Sequence, residues 1–139
     1  MAFLLDTCAI SEFVAPRPEP GAIEKMLDLP REELWLSVIT IGELQQGIAE
    51  MKACKRKTFL EDWLDRHVLP LYADRTLVFD VTEARQWGLL GASLNGSGKK
   101  MPIEDSFLAA TALTHDLTVV TRNEDDFRHT GVRIFNPWR

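Results

Sequence analysis

Asp6, Glu43, Asp105 and the run Glu124-Asp125-Asp126 are the residues of this chain whose type and placement could do chemistry. Asp6 closes the apolar run Ala2-Phe3-Leu4-Leu5, and Asp105 is embedded in the apolar helical stretch Ile103–Leu113. At helical spacing Leu108, Ala109 and Ala112 share the face of Asp105, so that face points inward. A carboxylate there must be paired, protonated or bound to a cation. At an effective dielectric of about 20, two carboxylates about 4 Å apart repel by about 4 kcal/mol, so several around one pocket would oppose folding. A hard divalent cation with oxygen ligands removes that conflict. Mg²⁺ or Mn²⁺ suits an all-carboxylate site that keeps some of its waters, and such an ion activates water and stabilises charge on a phosphoryl oxygen.

Each acid also has a plain reading. Asp6 would cap a helix starting at Thr7. Glu43 lies beside Gly47 and Glu50 on a helical wheel, off the main apolar stripe, where a solvated glutamate is ordinary. Asp105 falls in the first turn of its helix, where the macrodipole favours a negative charge. Three acids in a row are usually a solvated turn, so at most one or two of residues 124–126 would face a site. The joint pattern carries more than any single position.

The elements that must hold these residues alternate. Strands are expected at Phe3–Asp6, Leu34–Ser37, Leu77–Phe79 and Leu117–Thr121, with a short fifth at Val132–Phe135. Helices are expected over Thr7–Val14, stopped by Pro16, Pro18 and Pro20, and over Gly21–Leu29, Ile41–Ala53, Lys57–Leu71, Thr82–Leu94 with Thr82 as N-cap, and from Pro102 to His115. Asn95–Gly98 reads as a loop. Apolar strands alternating with helices imply an α/β domain with a mostly parallel sheet covered on both faces. In such sheets ligands bind beyond the carboxyl ends of the strands, which is where the acids fall.

The bulk numbers restrict the classes. A chain of 139 residues, 45% hydrophobic and 27% charged, fits one soluble domain spanning residues 1–139. The two cysteines, Cys8 and Cys54, form no CxxC pair, which gives zinc or thioredoxin-like chemistry no support and agrees with a reducing cytoplasm. The N-terminus lacks the basic segment of a signal peptide, and no run approaches the ~20 residues that span a bilayer. A net charge of −5 argues against a plain nucleic-acid binder but not against an enzyme that cuts nucleic acid. The cations cluster at Lys52–Lys57 and at Lys99-Lys100.

Five segments, Leu4–Thr7, Ser37–Leu44, Ile103–Ala112, Val120–Asn123 and Phe135–Trp138, together resemble the PIN-domain family of the VapC/FitB toxin type, in order and across nearly the whole chain. The closing Asn-Pro-Trp and the Asp105-x-x-x-Ala-Ala-Thr-Ala segment favour the FitB-like branch. The resemblance implies a PIN-like three-layer domain with four to five strands. It also implies a Mg²⁺- or Mn²⁺-dependent endoribonuclease that leaves a 3′-hydroxyl and a 5′-phosphate, a small cognate antitoxin, and a homodimer or a toxin–antitoxin hetero-oligomer. By position, Asp6, Glu43 and Asp105 match the family's acidic triad. Thr7, Thr121, Arg122 and Asn123 fall at supporting or substrate-positioning places; backbone contacts would come from Arg122, Lys99 and Lys100, or from Lys52–Lys57, each of which taken singly reads more readily as part of a solvated face. Cys8 departs from the asparagine frequent there, and a thiol is a poor substitute for an amide. The fourth acid is expected to be Asp126 rather than its neighbours, with Asn123 as a neutral alternative and Glu124 and Asp125 facing solvent. The gully between helices Gly21–Leu29 and Lys57–Leu71 would receive the antitoxin. Two rival readings are a non-catalytic PIN-like module that binds a partner, and a phosphoacceptor domain of the response-regulator kind. The latter needs a lysine at the end of its last core strand, where this chain has Thr121-Arg122.

Overall fold

The computed structural model describes residues 1–139. Its centre is a five-stranded, wholly parallel sheet in the order β3-β2-β1-β4-β5, formed by β1 (Phe3–Leu5), β2 (Leu34–Ser37), β3 (Thr76–Leu77), β4 (Thr118–Val120) and β5 (Arg133–Phe135). The order places β1 in the middle, with Leu4 opposite both Trp35 and Val119.

The strands are short and apolar because both faces are covered. Side chains alternate across the sheet, and the two cores divide accordingly. Phe3, Leu5, Leu36 and Val120 pack on one face with Ile10, Met26, Leu44, Leu64 and Val68. Leu4 and Val119 pack on the other with Leu90, Leu94, Leu108, Ala109 and Phe127. The first face carries α1 (Thr7–Glu12), α2 (Pro20–Leu27), α3 (Val38–Ala49) and α4 (Lys55–Trp63). Beyond α4 come a π-helical segment, Leu64–Val68, and the single turn α5 (Leu69–Leu71). The second face carries α6 (Val81–Gly96) and α7 (Ile103–His115), and α8 (Glu124–Phe127) follows β4.

Several boundaries differ from expectation: α3 ends at Ala49 rather than Ala53 and α6 runs to Gly96, into the expected loop Asn95–Gly98, and four further differences have a clear local reason. The helix after β2 starts at Val38, not Ile41, because the Ser37 hydroxyl accepts the Ile39 N–H at 3.0 Å and turns a β-branched run into a first helical turn. The expected helix Lys57–Leu71 starts at Lys55 and passes through π geometry at Leu64–Val68. Pro70 has no N–H, and its ring crowds the Arg66 carbonyl, which disfavours regular α turns there. β3 ends at Leu77 because Phe79 leaves the sheet to meet the Phe107 ring edge-on, centroids 4.9 Å apart. The N-cap of α6 is Asp80, not Thr82. Its carboxylate accepts from the Val81 N–H and Glu83 accepts from the Asp80 N–H, both at 2.8 Å, forming a capping box. Glu83 is buried, and the Asp80 N–H foremost, with His115 at 2.9 Å, holds its carboxyl below the usual range. No helix is long and apolar enough to cross a membrane.

Candidate functional site

The parallel sheet sends the carboxyl ends of β1, β2 and β4 to one edge, and the helices or loops that follow begin there. Asp6 stands immediately after β1 and is only 4% exposed. Its backbone N–H still bonds to the Val120 carbonyl at 3.0 Å, so the strand ladder fixes its position. Its carboxylate works in two directions. Oδ1 accepts the Thr7 N–H at 2.7 Å and caps α1, while Oδ2 accepts the Thr121 hydroxyl at 2.7 Å. The capping reading holds for this residue, and its second oxygen ties it to the end of β4.

Thr7 and Thr121 extend the network. The Thr7 hydroxyl donates to Glu43 Oε1 at 2.7 Å, linking the start of α1 to α3. Thr121 is fully buried, and its Oγ also accepts the Asn123 N–H at 3.0 Å. Cys8 Sγ lies 3.6 Å from both Asp6 Oδ2 and Thr121 Oγ. Burial first, then the Asp6 charge, pushes its thiol up to about 11, so it stays an S–H group.

Asp105 enters from the other layer, in the first turn of α7. Its neighbour Ser106 is pinned by the Trp87 indole N–H at 2.9 Å, which fixes this turn against α6. Burial raises the Asp105 carboxyl to about 7; the Asp6 charge, a hydrogen bond shared with the Asp126 carboxylate, and the charges of Asp126 and Glu43 add to it. Glu43 is also raised, mainly by burial, against the opposing pull of Thr7 and with help from the charges of Asp6 and Glu104. The four acids singled out in the sequence therefore act on one another.

No three of these acids form a ready-made ligand cage. The donor set nevertheless fits a hard divalent cation: it is all oxygen, carboxylates dominate, and burial together with its negative neighbours raises the Asp105 carboxyl. The same like-charge repulsion is what a bound cation would offset.

The remaining expected residues divide. Asp125 is exposed and pairs with Arg128 at 2.7 Å. Glu124, expected to face solvent, is instead largely covered, with Asn136 Nδ2 at 3.2 Å and Arg139 Nε at 2.9 Å from its Oε2. In the Lys52–Lys57 cluster, Arg56 bonds to the Val14 carbonyl and Lys57 Nζ reaches the Met51 carbonyl at 3.0 Å, so these two cations close backbone ends. Lys99 and Lys100 are exposed. Sequence reasoning passed over Glu12, a buried acid of α1 that accepts the Glu19 N–H at 2.7 Å and faces Arg122 at 3.4 Å. Its signal was present, six residues after Asp6 and inside the same short helix, but one glutamate at a helix end carries no spacing to read.

A parallel sheet whose central strands deliver converging acids to one edge defines an acid-centred α/β domain. The chain belongs to the PIN domain family, which it matches over residues 3–132. It is 38% identical over 135 residues to Toxin FitB of Neisseria gonorrhoeae, covering 97% of each chain. It is equally 38% identical over 135 residues to VapC ribonuclease Y4jK of Sinorhizobium fredii, covering 97% of this chain and 96% of that one. The crystal structure of FitAcB from Neisseria gonorrhoeae superposes with a TM-score of 0.93 at 37% identity, covering 99% of both chains.

Proposed function

We propose that this protein is a divalent-metal-dependent endoribonuclease that acts as the toxin of a toxin–antitoxin pair. The observation that carries the reading is the mutual influence of Asp6, Glu43, Asp105 and Asp126 at one edge of the sheet. Similarity to a VapC ribonuclease supports RNA as the substrate, and similarity to Toxin FitB supports the biological role.

Asp6, Glu43, Asp105 and Asp126 would hold Mg²⁺ or Mn²⁺, directly or through water. The ion supplies water activation and charge stabilisation at a phosphoryl oxygen. The chain's own residues do the rest. Thr121 and the Thr7 N–H fix both oxygens of Asp6, and the Thr7 hydroxyl aims Glu43. Burial first, then the neighbouring acids, raises the Asp105 carboxyl, and a bound cation would favour its ionised form. Hydrolysis forms a new bond from the water oxygen to phosphorus and breaks the P–O3′ bond. The products are then a 3′-hydroxyl and a 5′-phosphate.

Partner binding has a place in the same reading. An apolar groove of about 350 Å³, lined by Phe13, Met26, Leu29, Trp63, Val68 and Tyr72 among others, would take an amphipathic antitoxin segment. The acidic centre would accept an arginine from it. A homodimer, or an assembly of toxin and antitoxin, completes the proposal, working in the cytoplasm where its RNA lies.

The test is RNA cleavage by purified protein in Mn²⁺, with EDTA as control, for the natural chain and for Asp6→Asn and Asp105→Asn. Cleavage should require the metal and vanish in both variants while their circular dichroism is unchanged. Mn²⁺ should raise the melting temperature of the natural chain and not of Asp105→Asn. Full activity in both variants would sink the assignment. Co-expression with a cognate antitoxin should give a complex that no longer cleaves.

A further inference from the structure

Beside the acidic centre lies a second, wholly polar cleft of about 430 Å³. Its lining of 7 residues includes Arg122, Arg139 and the three acids Glu124, Asp125 and Asp126, and no apolar residue. Asp126 belongs to both places: it walls the cleft and its carboxylate faces Asp105. The cleft therefore runs directly off the centre.

Its two arginines are held by other residues. Arg122 Nη2 lies 3.4 Å from Glu12 Oε1, and Glu12 is a side chain only 9% exposed. The Arg122 guanidinium sits 4.5 Å above the centre of the Trp138 ring. Arg139 Nε is held at 2.9 Å by Glu124, which Asn136 also contacts. Both heads stay accessible, with Arg122 54% and Arg139 74% exposed. A guanidinium fixed by a single contact keeps N–H groups free for an incoming oxyanion, and its fork matches phosphate. The nearby Arg128 does not line the cleft; its guanidinium pairs at 2.7 Å with Asp125, an exposed acid of the cleft wall.

We propose that Arg122, aimed by Glu12 and Trp138, and Arg139, aimed by Glu124, form a subsite for a phosphodiester flanking the one that is cut in a single-stranded RNA. The inference rests on the RNA-cleaving reading above. It answers a difficulty that reading leaves open: a chain of net charge −5 with an acidic centre must offset its own repulsion of a polyanion close to the scissile bond. The absence of apolar lining favours a nucleic-acid backbone over a protein segment, which would bring side chains needing apolar contact.

The experiment measures binding of a fluorescein-labelled ten-nucleotide single-stranded RNA by anisotropy, with Ca²⁺ replacing Mg²⁺, across a salt series. Steady-state cleavage is measured in parallel. The proteins are the natural chain, Arg122→Gln, Arg139→Gln, the double variant, and Arg128→Gln as a charge-matched control. Each cleft substitution should weaken binding roughly tenfold and reduce the slope of log K against log salt by about 0.7. KM should rise more than kcat falls. A purely structural role for the arginines would lower the melting temperature and kcat and leave the salt slope alone. If the double variant folds poorly, Arg139→Gln, on an exposed side chain, carries the test by itself. Unchanged affinity and slope in the cleft variants, with the natural chain binding and cutting RNA, overturn the subsite but not the enzyme. An equal loss in Arg128→Gln also overturns it, because general charge then explains the effect. A natural chain that neither binds nor cuts RNA overturns both.

Discussion

The acidic centre has two halves that are built differently. In one half, Asp6 and Glu43 are tied by the Thr7 amide, the Thr7 hydroxyl and the Thr121 hydroxyl, each at 2.7 Å. In the other, Asp105 and Asp126 lean on each other, and Asp105 is pushed up to about 7 by burial and by the surrounding negative charge. Donors stabilise the charged form of a carboxylate, and like charges oppose it. The first half is thus held by hydrogen bonds, although burial and the Asp6 charge still raise the Glu43 carboxyl. The second half has no such donors to offset its like charges, and it lies on the other layer of the fold, in α7 and α8.

The sharpest way to test this division is to remove one acid from the repelling half. Asp126→Asn should lower metal-dependent cleavage by roughly 10²–10³-fold, the loss of several kcal/mol of charge stabilisation. Asn123→Ala should cost far less, because Asn123 contributes its backbone N–H to the network and not its side chain. Steady-state kinetics with Mn²⁺ checks both, and the reverse ranking would move the fourth position to Asn123. In the tied half, Thr121→Val should weaken Mn²⁺ affinity by about 10–100-fold. It should also destabilise the fold by about 1–3 kcal/mol, since it orphans a buried carboxylate oxygen and the Asn123 N–H. Isothermal titration and urea unfolding read the two effects.

Titration separates the halves without mutating the tied one. The folded Asp105 carboxyl is raised, so below its unfolded value both states are protonated and its contribution is fully present. As pH rises from about 4 through about 7, the unfolded state releases its proton first, and the contribution of Asp105 to the metal-free fold is lost. Melting temperature measured in EDTA should therefore decline with pH across that window more steeply for the natural chain than for Asp105→Asn. Mg²⁺ should stabilise the natural chain more at pH 8 than at pH 5. The smallest effect belongs to Cys8→Ser. A thiol at 3.6 Å from two oxygens is a weak donor, so stability should change by only about 0.5 kcal/mol, with cleavage nearly unchanged.

These halves were not equally legible in the sequence. Asp6 announces itself by ending an apolar strand, and Asp105 by standing on the face of Leu108, Ala109 and Ala112, all buried in the structure. Glu43 shows no such pattern, because its environment is made by Thr7, thirty-six positions away. Only the order of several weak motifs singled it out. Glu12 and Arg139 were invisible for the same reason: their partners, Arg122 and Glu124, are brought to them by β4 and by the turn that follows β5. The Lys52–Lys57 cluster misled in the opposite sense. A run of cations suggests a binding face, yet Arg56 and Lys57 satisfy carbonyls at the ends of α1 and α3. Element types followed periodicity well. The boundaries that moved did so where one side chain, Ser37 or Asp80, caps a turn that hydrophobic pattern alone cannot place.

The position of β1 in the sheet has a consequence for the order in which the molecule comes into being. β1 is made first, yet one of its neighbours, β4, is among the last segments synthesised. Until residue 121 has left the ribosome, Asp6 lacks the hydroxyl that holds its second oxygen, and until residue 126 has left it, Asp105 lacks its counterpart. A growing or prematurely ended chain cannot assemble the centre. The strand order thus delays completion of the acidic centre until nearly all of this chain has been made.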